Sequence, residues 1–343
     1  MPVVRDTFGY LQDGRRVDRV ALSHPRSGFT IEVLEYGARL RTILVPRRQG
    51  LTNTVLSYAS LREYELDTAQ LGSVIGRCAN RTVADAHPTF RLSCNDGQNH
   101  LHGGVIGFGR SLWQVVACVD GDMPGVRLQL HSPDGDEGCL GNVSVQMELQ
   151  LNSPLSFRTI VTATTDRPTP LNFTLHPYFN LSGDAGTTIE DHELRLAAAT
   201  YLPLNPAQIP TGEIRAVDDT PFDFRKLTPV GARIHDPDSQ LTLAGGYDHY
   251  LPMLPRSPIA AELLSRSTGI RLNISTNQRG IQFYTGNSLG VATPPRFRAR
   301  AGLCLEPHAF PNAINEPAFP DIVVQPGQTY RHDTTYAFAL TSD

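Results

Sequence analysis

The chain has no cysteine framework, no basic segment and no long apolar run. Its five cysteines are an odd number without close pairing, so neither a disulfide scaffold nor a CxxC zinc site is indicated. The 30 Lys and Arg residues are scattered along a chain of net charge -4, which argues against nucleic-acid binding. No apolar stretch approaches the roughly 20 residues of a membrane span, and the N-terminus lacks a secretory pattern. These absences predict a soluble cytoplasmic protein that binds neither nucleic acid nor membrane.

Strand-like segments recur along most of the sequence. Residues 29–34, 39–45 and 143–151 alternate apolar and polar side chains, the period of a strand with one buried and one wet face. Turn residues separate the segments, and Pro46 is expected to end the second of them. The pattern predicts an all-β fold, a large antiparallel β-sandwich that forms one domain over residues 1–343.

Helical signals are few. Glu63 follows Ser60 by three residues, the spacing of a capping box in which each side chain binds the other residue's backbone N–H. A short helix after Ser60 is therefore predicted, and few others are expected.

Two titratable side chains stand in apolar surroundings. Residues 171–183 place His176 in an apolar and aromatic run, and a histidine with a pKa of about 6.5 is a natural candidate for proton transfer. A half-buried structural histidine is at least as common an interpretation. Glu306 lies in a strand-like run next to Leu305, where a buried carboxylate is costly unless it is paired or used.

Other polar residues are suited to binding hydroxyl groups. The guanidinium of Arg81 offers a planar fork of donors, Asp248 offers acceptors, and Gln282 offers both. Each has an ordinary alternative, such as a solvated arginine or a turn aspartate that caps its own backbone.

His100 and His102 raise a metal-site alternative. On a strand, side chains two residues apart share a face, so these two histidines would supply two ligands and Glu306 a third. No further ligand or supporting group is evident, and in a loop the histidines need not share a face. The sequence therefore predicts no metal site and no cofactor.

Taken together, these residues lie in motifs that resemble the aldose 1-epimerase (galactose mutarotase) family. Six motifs follow one another in the family's order and span most of the chain. They are residues 76–81 (GRCANR), 99–104 (NHLHGG), 176–181 (HPYFNL), 247–249 (YDH), 282–287 (QFYTGN) and 305–306 (LE).

The resemblance implies a fold, a reaction and a set of roles. It implies the family's single β-sandwich and the interconversion of α and β anomers of a free aldose such as glucose or galactose. Glu306 would be the general base, His176 the general acid, and His102 would bind and polarise the sugar. The residues implied to hold the hydroxyl groups are Asn80, Arg81, Asp248 and Gln282.

The reaction needs an acid and a base at once. The base removes the proton of the anomeric hydroxyl while the acid protonates the ring oxygen, and ring closure after rotation reverses both transfers. Glutamate and histidine begin near pKa 4.3 and 6.5. We expect the site to raise the pKa of His176 and keep Glu306 ionised, with Asp248 favouring the protonated imidazole if it lies close.

The sequence departs from the family pattern at five positions, which would alter the rim of the pocket and hence the preferred sugar. They are Gly109, Arg110, Leu175, His308 and Asn312.

Two other classes of function compete with the epimerase. A glycoside hydrolase would use Glu306 and Asp248 as paired carboxylates. A sugar-binding protein would keep the fold without turnover. The expected partner is in each case a small carbohydrate, and the chain is expected to be a monomer or a homodimer.

Overall fold

The computed structural model describes residues 2–341, and over them the chain forms 25 strands and two short α-helices. The strands of the first half are β1 Val3–Tyr10, β2 Arg16–Ser23, β3 Thr30–Leu34, β4 Arg39–Arg47, β5 Gly50–Asn53, β6 Val74–Ile75, β7 Arg81–Val83, β8 Asn99–Leu101, β9 Gln114–Val119, β10 Gly125–Ser132, β11 Val143–Ser153 and β12 Ser156–Thr165. Those of the second half are β13 Thr169–Pro170, β14 Thr174–Leu175, β15 Glu193–Leu196, β16 Thr200–Tyr201, β17 Arg215–Ala216, β18 Thr228–Pro229, β19 Asp248–Pro252, β20 Ala261–Leu264, β21 Ile270–Thr276, β22 Gly280–Tyr284, β23 Cys304–His308, β24 Val323–Val324 and β25 Tyr330–Leu340. The helices are α1 Leu61–Leu66 and α2 Ser239–Ala244.

Two large antiparallel sheets build the molecule. One has five strands in the order β1-β2-β3-β4-β5, and the other has nine in the order β18-β15-β20-β21-β25-β12-β11-β10-β9. Leu22 and Val33 of the first sheet and Leu149 and Phe157 of the second belong to one buried apolar cluster. The predicted all-β sandwich class is therefore confirmed.

The alternation predicted from sequence appears as burial on one face of the strands. In β11 every second residue from Val143 to Leu151 is buried, and most of those between are exposed. The prediction that Pro46 ends its strand is wrong, because β4 continues to Arg47 and Pro46 pairs with Leu51 of β5. The pairing of β4 with β3 stops at Leu44, so at Pro46 the strand pairs with β5 alone. Proline has no backbone N–H, and no hydrogen bond to β3 is needed at this position.

The predicted helix is present with its capping box. Ser60 accepts from the backbone N–H of Glu63, whose side chain accepts from the backbone of Ser60. Among residues 2–341, neither α1 nor α2 has the length and apolar character needed to cross a membrane.

A third, smaller sheet carries the polar residues of the later motifs. Its order is β19-β22-β23, and the register places Gln282 opposite both Glu306 and Tyr250. Asp248 begins β19. Three of the residues singled out from sequence thus share one sheet.

A fully buried ion pair fixes the chain after α1. Arg39 donates to Asp67 at 2.7 Å and to the carbonyl of Leu71 at 2.8 Å, and neither charged side chain is exposed. Asp67 also accepts the backbone N–H groups of Ala69 and Leu71. Every oxygen of the carboxylate is therefore used, which is the condition under which a buried pair is tolerated.

We predict that Asp67→Ala lowers the free energy of unfolding by about 3–5 kcal/mol, because the guanidinium of Arg39 would remain buried without its partner. Urea denaturation measures the change. Glu148→Ala is the control, since it breaks an exposed pair with Arg127 and should cost less than about 1 kcal/mol. Equal losses in the two variants would contradict this account of the buried pair.

Candidate active site

All seven residues implied by the motifs line one cavity of about 260 Å³. This lies just below the roughly 300–1,000 Å³ typical of pockets for drug-sized ligands, so the cavity suits a smaller molecule. The seven are Asn80, Arg81, His102, His176, Asp248, Gln282 and Glu306. They come from six separate parts of the sequence, and folding brings them together.

His176 and Glu306 face each other inside the cavity. His176 follows β14 and Glu306 lies at the centre of β23, and their residues are 3% and 2% exposed. The Nε2 atom of His176 lies 3.7 Å from Oε1 of Glu306. Main-chain bonds hold the histidine, whose N–H donates to the carbonyl of Ser73 and whose carbonyl accepts from Gly72.

His102 presents its ring to the cavity from a different side. Strand β8 ends at Leu101, and His102 takes a left-handed backbone conformation with φ of 53°. Its Nδ1 accepts the backbone N–H of Asn80 at 3.3 Å, so in the neutral ring Nε2 carries the proton. The ring lies edge-on to that of His176, with 5.2 Å between the centroids.

The metal-site alternative based on His100 and His102 is wrong. The Nδ1 atom of His100 lies 2.9 Å from the carbonyl of Ser93, outside the cavity that His102 lines. The turn at His102 separates the two side chains. Within residues 2–341 a different group, His176, Cys304 and Glu306, has ligand-type atoms within 4.8 Å of one another.

A network of polar side chains forms another wall. Gln282 donates to Oδ1 of Asp248 at 2.7 Å, and the guanidinium of Arg81 lies 3.7 Å from the other carboxylate oxygen. Asp96 holds Arg81 from outside at 2.8 Å. The Oε1 atom of Gln282 is buried without a hydrogen-bond partner among the described residues, so it is available to a hydroxyl group of a ligand.

Burial shifts the pKa values of His176 and Glu306 in directions opposite to those expected from the sequence. Burial lowers the pKa of His176 to about 4. It raises the pKa of Glu306 well above 4.5, and the nearby charge of Asp248 adds to this rise. The charge of Asp248 therefore acts on Glu306, and burial favours a neutral imidazole beside a protonated carboxyl group.

The five departures from the family pattern do not line the cavity, so the expectation that they alter its rim is wrong. Leu175 is in the core, Gly109 accepts from Arg39, and Arg110 donates to the carbonyls of Val105 and Asp67. His308 and Asn312 bond to backbone groups behind the site.

Sequence reasoning missed much of the lining. Four lining residues lie inside quoted motifs without having been given a role, and they are Leu101, Tyr178, Tyr284 and Asn287. The remaining members had no signal in the sequence, and they are Thr68, Ala69, Gln70, Gln208, Ala244 and Ser288.

Comparison with known proteins assigns the family. The family model described as aldose 1-epimerase matches residues 18–337. The chain belongs to the aldose 1-epimerase family. Its members are carbohydrate epimerases, so the resemblance carried by the six motifs is confirmed.

Individual members of the family are similar to this chain over nearly their full length. Galactose mutarotase of Sus scrofa is 33% identical and covers 98% of this chain and 99% of the relative. Aldose 1-epimerase of Escherichia coli (strain K12) is 32% identical, with the same coverage. The crystal structure of galactose 1-epimerase from Lactobacillus acidophilus NCFM has a TM-score of 0.89 at 28% identity, with 99% of each chain covered.

We predict that Glu306→Gln gains stability relative to the wild type as the pH rises above 4.5. The folded-state pKa of Glu306 is raised above the ordinary 4.5. Its contribution to stability is therefore complete below that pH and lost as the pH rises towards the folded pKa, whereas glutamine does not ionise. Urea denaturation at a series of pH values above 4.5 measures the difference, which should widen as the pH rises towards the folded pKa. The exposed Glu148→Gln is the control, and a gap that stays constant with pH would refute the prediction.

Proposed function

We propose that this chain is an aldose 1-epimerase that interconverts the α and β anomers of a free aldose such as glucose or galactose. The observation that carries the proposal is the convergence of seven motif residues on one cavity, with His176 Nε2 and Glu306 Oε1 3.7 Å apart. In this proposal the chain works as a single cytoplasmic domain, monomeric or homodimeric, without metal or cofactor.

The proposed roles are those of a paired acid and base. Glu306 takes the proton of the anomeric hydroxyl, and His176 gives a proton from Nε2 to the ring oxygen, which opens the ring to the aldehyde. After rotation about the bond to the neighbouring carbon, the same transfers run backwards and close the ring on the other face. Both groups return to their starting states, so no other reactant is consumed.

A neutral His176 beside a protonated Glu306 carries the right number of protons for this reaction. A protonated Glu306 beside a neutral His176 differs from the reactive ion pair by transfer of one proton between them. Hydroxyl groups of a bound sugar would donate to the carboxylate and favour its ionised form, which lowers the cost of that transfer. The attraction between the two charges in the buried site acts in the same direction.

The remaining residues would bind the sugar. His102 would donate from Nε2 and polarise an oxygen, because its Nδ1 already accepts from Asn80. Arg81, Asp248 and the free Oε1 of Gln282 offer donors and acceptors for hydroxyl groups. A panel of aldoses, including pentoses and 6-deoxy sugars, together with ketoses, would identify the preferred substrate.

We predict that Glu306→Gln and His176→Asn each lower kcat by about 10²–10⁴, the usual contribution of a positioned acid or base. Polarimetry of freshly dissolved α-glucose and α-galactose measures the approach to equilibrium, with the spontaneous rate subtracted. His100→Asn is the control, because it removes a histidine of equal burial that does not line the cavity. Unchanged rates in either site variant would overturn the role given to that residue.

Two further assays, combined with polarimetry, distinguish the competing functions. A glycoside hydrolase would release nitrophenol from nitrophenyl glycosides, which the epimerase should leave intact. A binding protein would retain aldose in calorimetry and leave the optical rotation to change at its spontaneous rate.

We also predict a bell-shaped pH dependence of kcat/KM. Activity should fall on the acid side as His176, with a pKa lowered to about 4, becomes protonated beside a protonated Glu306. It should fall on the alkaline side when the pair loses its one proton, and both limbs belong to the pair rather than to either residue. Polarimetry across pH, corrected for buffer catalysis, provides the profile. A rate that rises steadily with pH would contradict a shared proton.

A further inference from the structure

Glu137 is a half-buried carboxylate that the proposed reaction leaves without a role. Its Oε1 accepts the backbone N–H of Ile106 at 2.8 Å and that of Gly107 at 3.4 Å. Its Oε2 accepts the backbone N–H of Val105 at 3.0 Å and the hydroxyl of Ser93. One carboxylate therefore binds the N–H groups of three successive residues, which together form a concave site for an anion.

The loop that this carboxylate binds comes directly after His102. The side chains of Val105 and Ile106 are 53% and 57% exposed, so burial of apolar surface does little to hold the loop. Gly104 lies between His102 and these residues with φ of 100°, and a side chain there would meet Oε2 of Glu137. Glycine at this position leaves room for the carboxylate, which then fixes the course of the loop.

The turn that carries the carboxylate is anchored to the stretch that contacts His102. The buried guanidinium of Arg77 donates to the carbonyl of Pro133 at 2.8 Å and to that of Gly141 at 3.0 Å, one on each side of the turn. Arg77 precedes Asn80 by three residues, and the backbone N–H of Asn80 binds Nδ1 of His102 at 3.3 Å. The loop after His102 and the partner of its ring are thus held to the same framework.

The surroundings of Glu137 keep it ionised. Burial alone would raise the pKa of its carboxyl group, but the hydrogen bonds from Ser93 and from the N–H groups of residues 105–107 outweigh burial and hold the pKa below the usual 4.5. An ionised carboxylate only accepts hydrogen bonds, which suits neighbours that all donate.

We propose that Glu137 is a positioning residue that holds the loop of residues 103–107 and thereby keeps Nδ1 of His102 on the backbone N–H of Asn80. That contact leaves the proton of the neutral ring on Nε2, the nitrogen that would donate to the sugar. Glu137 does not line the cavity, so it would act through His102. The effect on turnover rests on the proposed function, whereas the hold on His102 does not.

Hydrogen exchange and nitrogen NMR of the wild type test the contact itself. The N–H groups of Val105 and Ile106 should exchange slowly although their side chains are exposed. The ¹⁵N shifts of the His102 ring, assigned by the loss of its signals in His102→Asn, should report Nε2–H at neutral pH. Rapid exchange of both amides, or an Nδ1–H ring, overturns the proposal whether or not any variant folds.

Removal of the carboxylate tests its effect on His102. Glu137→Ala should yield a mixture of His102 tautomers and lower kcat/KM in polarimetry by about 10- to 100-fold, because a displacement of about 1 Å can cost roughly 10²-fold. Glu137→Gln should lie between, since an amide keeps one of the two acceptor oxygens. Asp134→Ala is the matched control, because it removes a carboxylate of the same turn that pairs with Arg167 instead. It should change neither the tautomer nor kcat/KM.

A double-mutant cycle separates positioning from a general loss of stability. In a His102→Ala background, Glu137→Ala should leave kcat/KM unchanged, because the residue through which it acts is absent. An equal loss with and without His102 would overturn the proposal. A wild type that shows slow exchange and Nε2–H but no mutarotation would instead refute the proposed function and support the hold of Glu137 on His102.

Discussion

The burial of two titratable groups face to face is the constraint on which the rest of the structure depends. His176 and Glu306 lie 3.7 Å apart with almost no exposure, where a lone charge on either would cost several kcal/mol. One shared proton leaves both groups uncharged, so the folded chain can hold them without a further counterion. In the proposed mechanism a proton must move before the pair can act as base and acid, and hydrogen bonds from a bound sugar would favour this move.

The two halves of the pair are held by different parts of the fold. Glu306 is fixed by the ladder of β22 and β23, whereas His176 is bonded through its backbone to Gly72 and Ser73. Those residues follow Leu71, whose carbonyl accepts from Arg39 in the buried ion pair with Asp67. Gly72 has a φ of 67°, and a side chain there would meet the carbonyl of Leu40. The ion pair and this glycine therefore support the segment that holds His176 from behind the cavity.

Much of the fold could be predicted from the sequence, as could the grouping of the seven motif residues around one cavity. The alternation of the strands and the capping box of Ser60 and Glu63 could be predicted because each depends on residues close together in the sequence. The protonation of His176 and Glu306 could not be predicted, because it depends on burial by segments far away in sequence. The sequence left open whether His102 lies on a strand or in a turn, since a left-handed backbone at a residue other than glycine leaves no reliable mark in a sequence.

The difference between local sequence signals and contacts made by distant segments also affects how substrate preference is predicted. A family motif transfers the residues that perform the reaction, but its variable positions need not be those that contact the substrate. Here Leu175, His308 and Asn312 differ from the family pattern and lie behind the wall, whereas Gln70 and Gln208 line the cavity outside every motif. Both glutamines have positive φ, 58° and 57°, which is a costly backbone conformation that surrounding structure must enforce. We therefore expect substrate selectivity to depend more on these two glutamines than on the positions where the sequence departs from the family pattern.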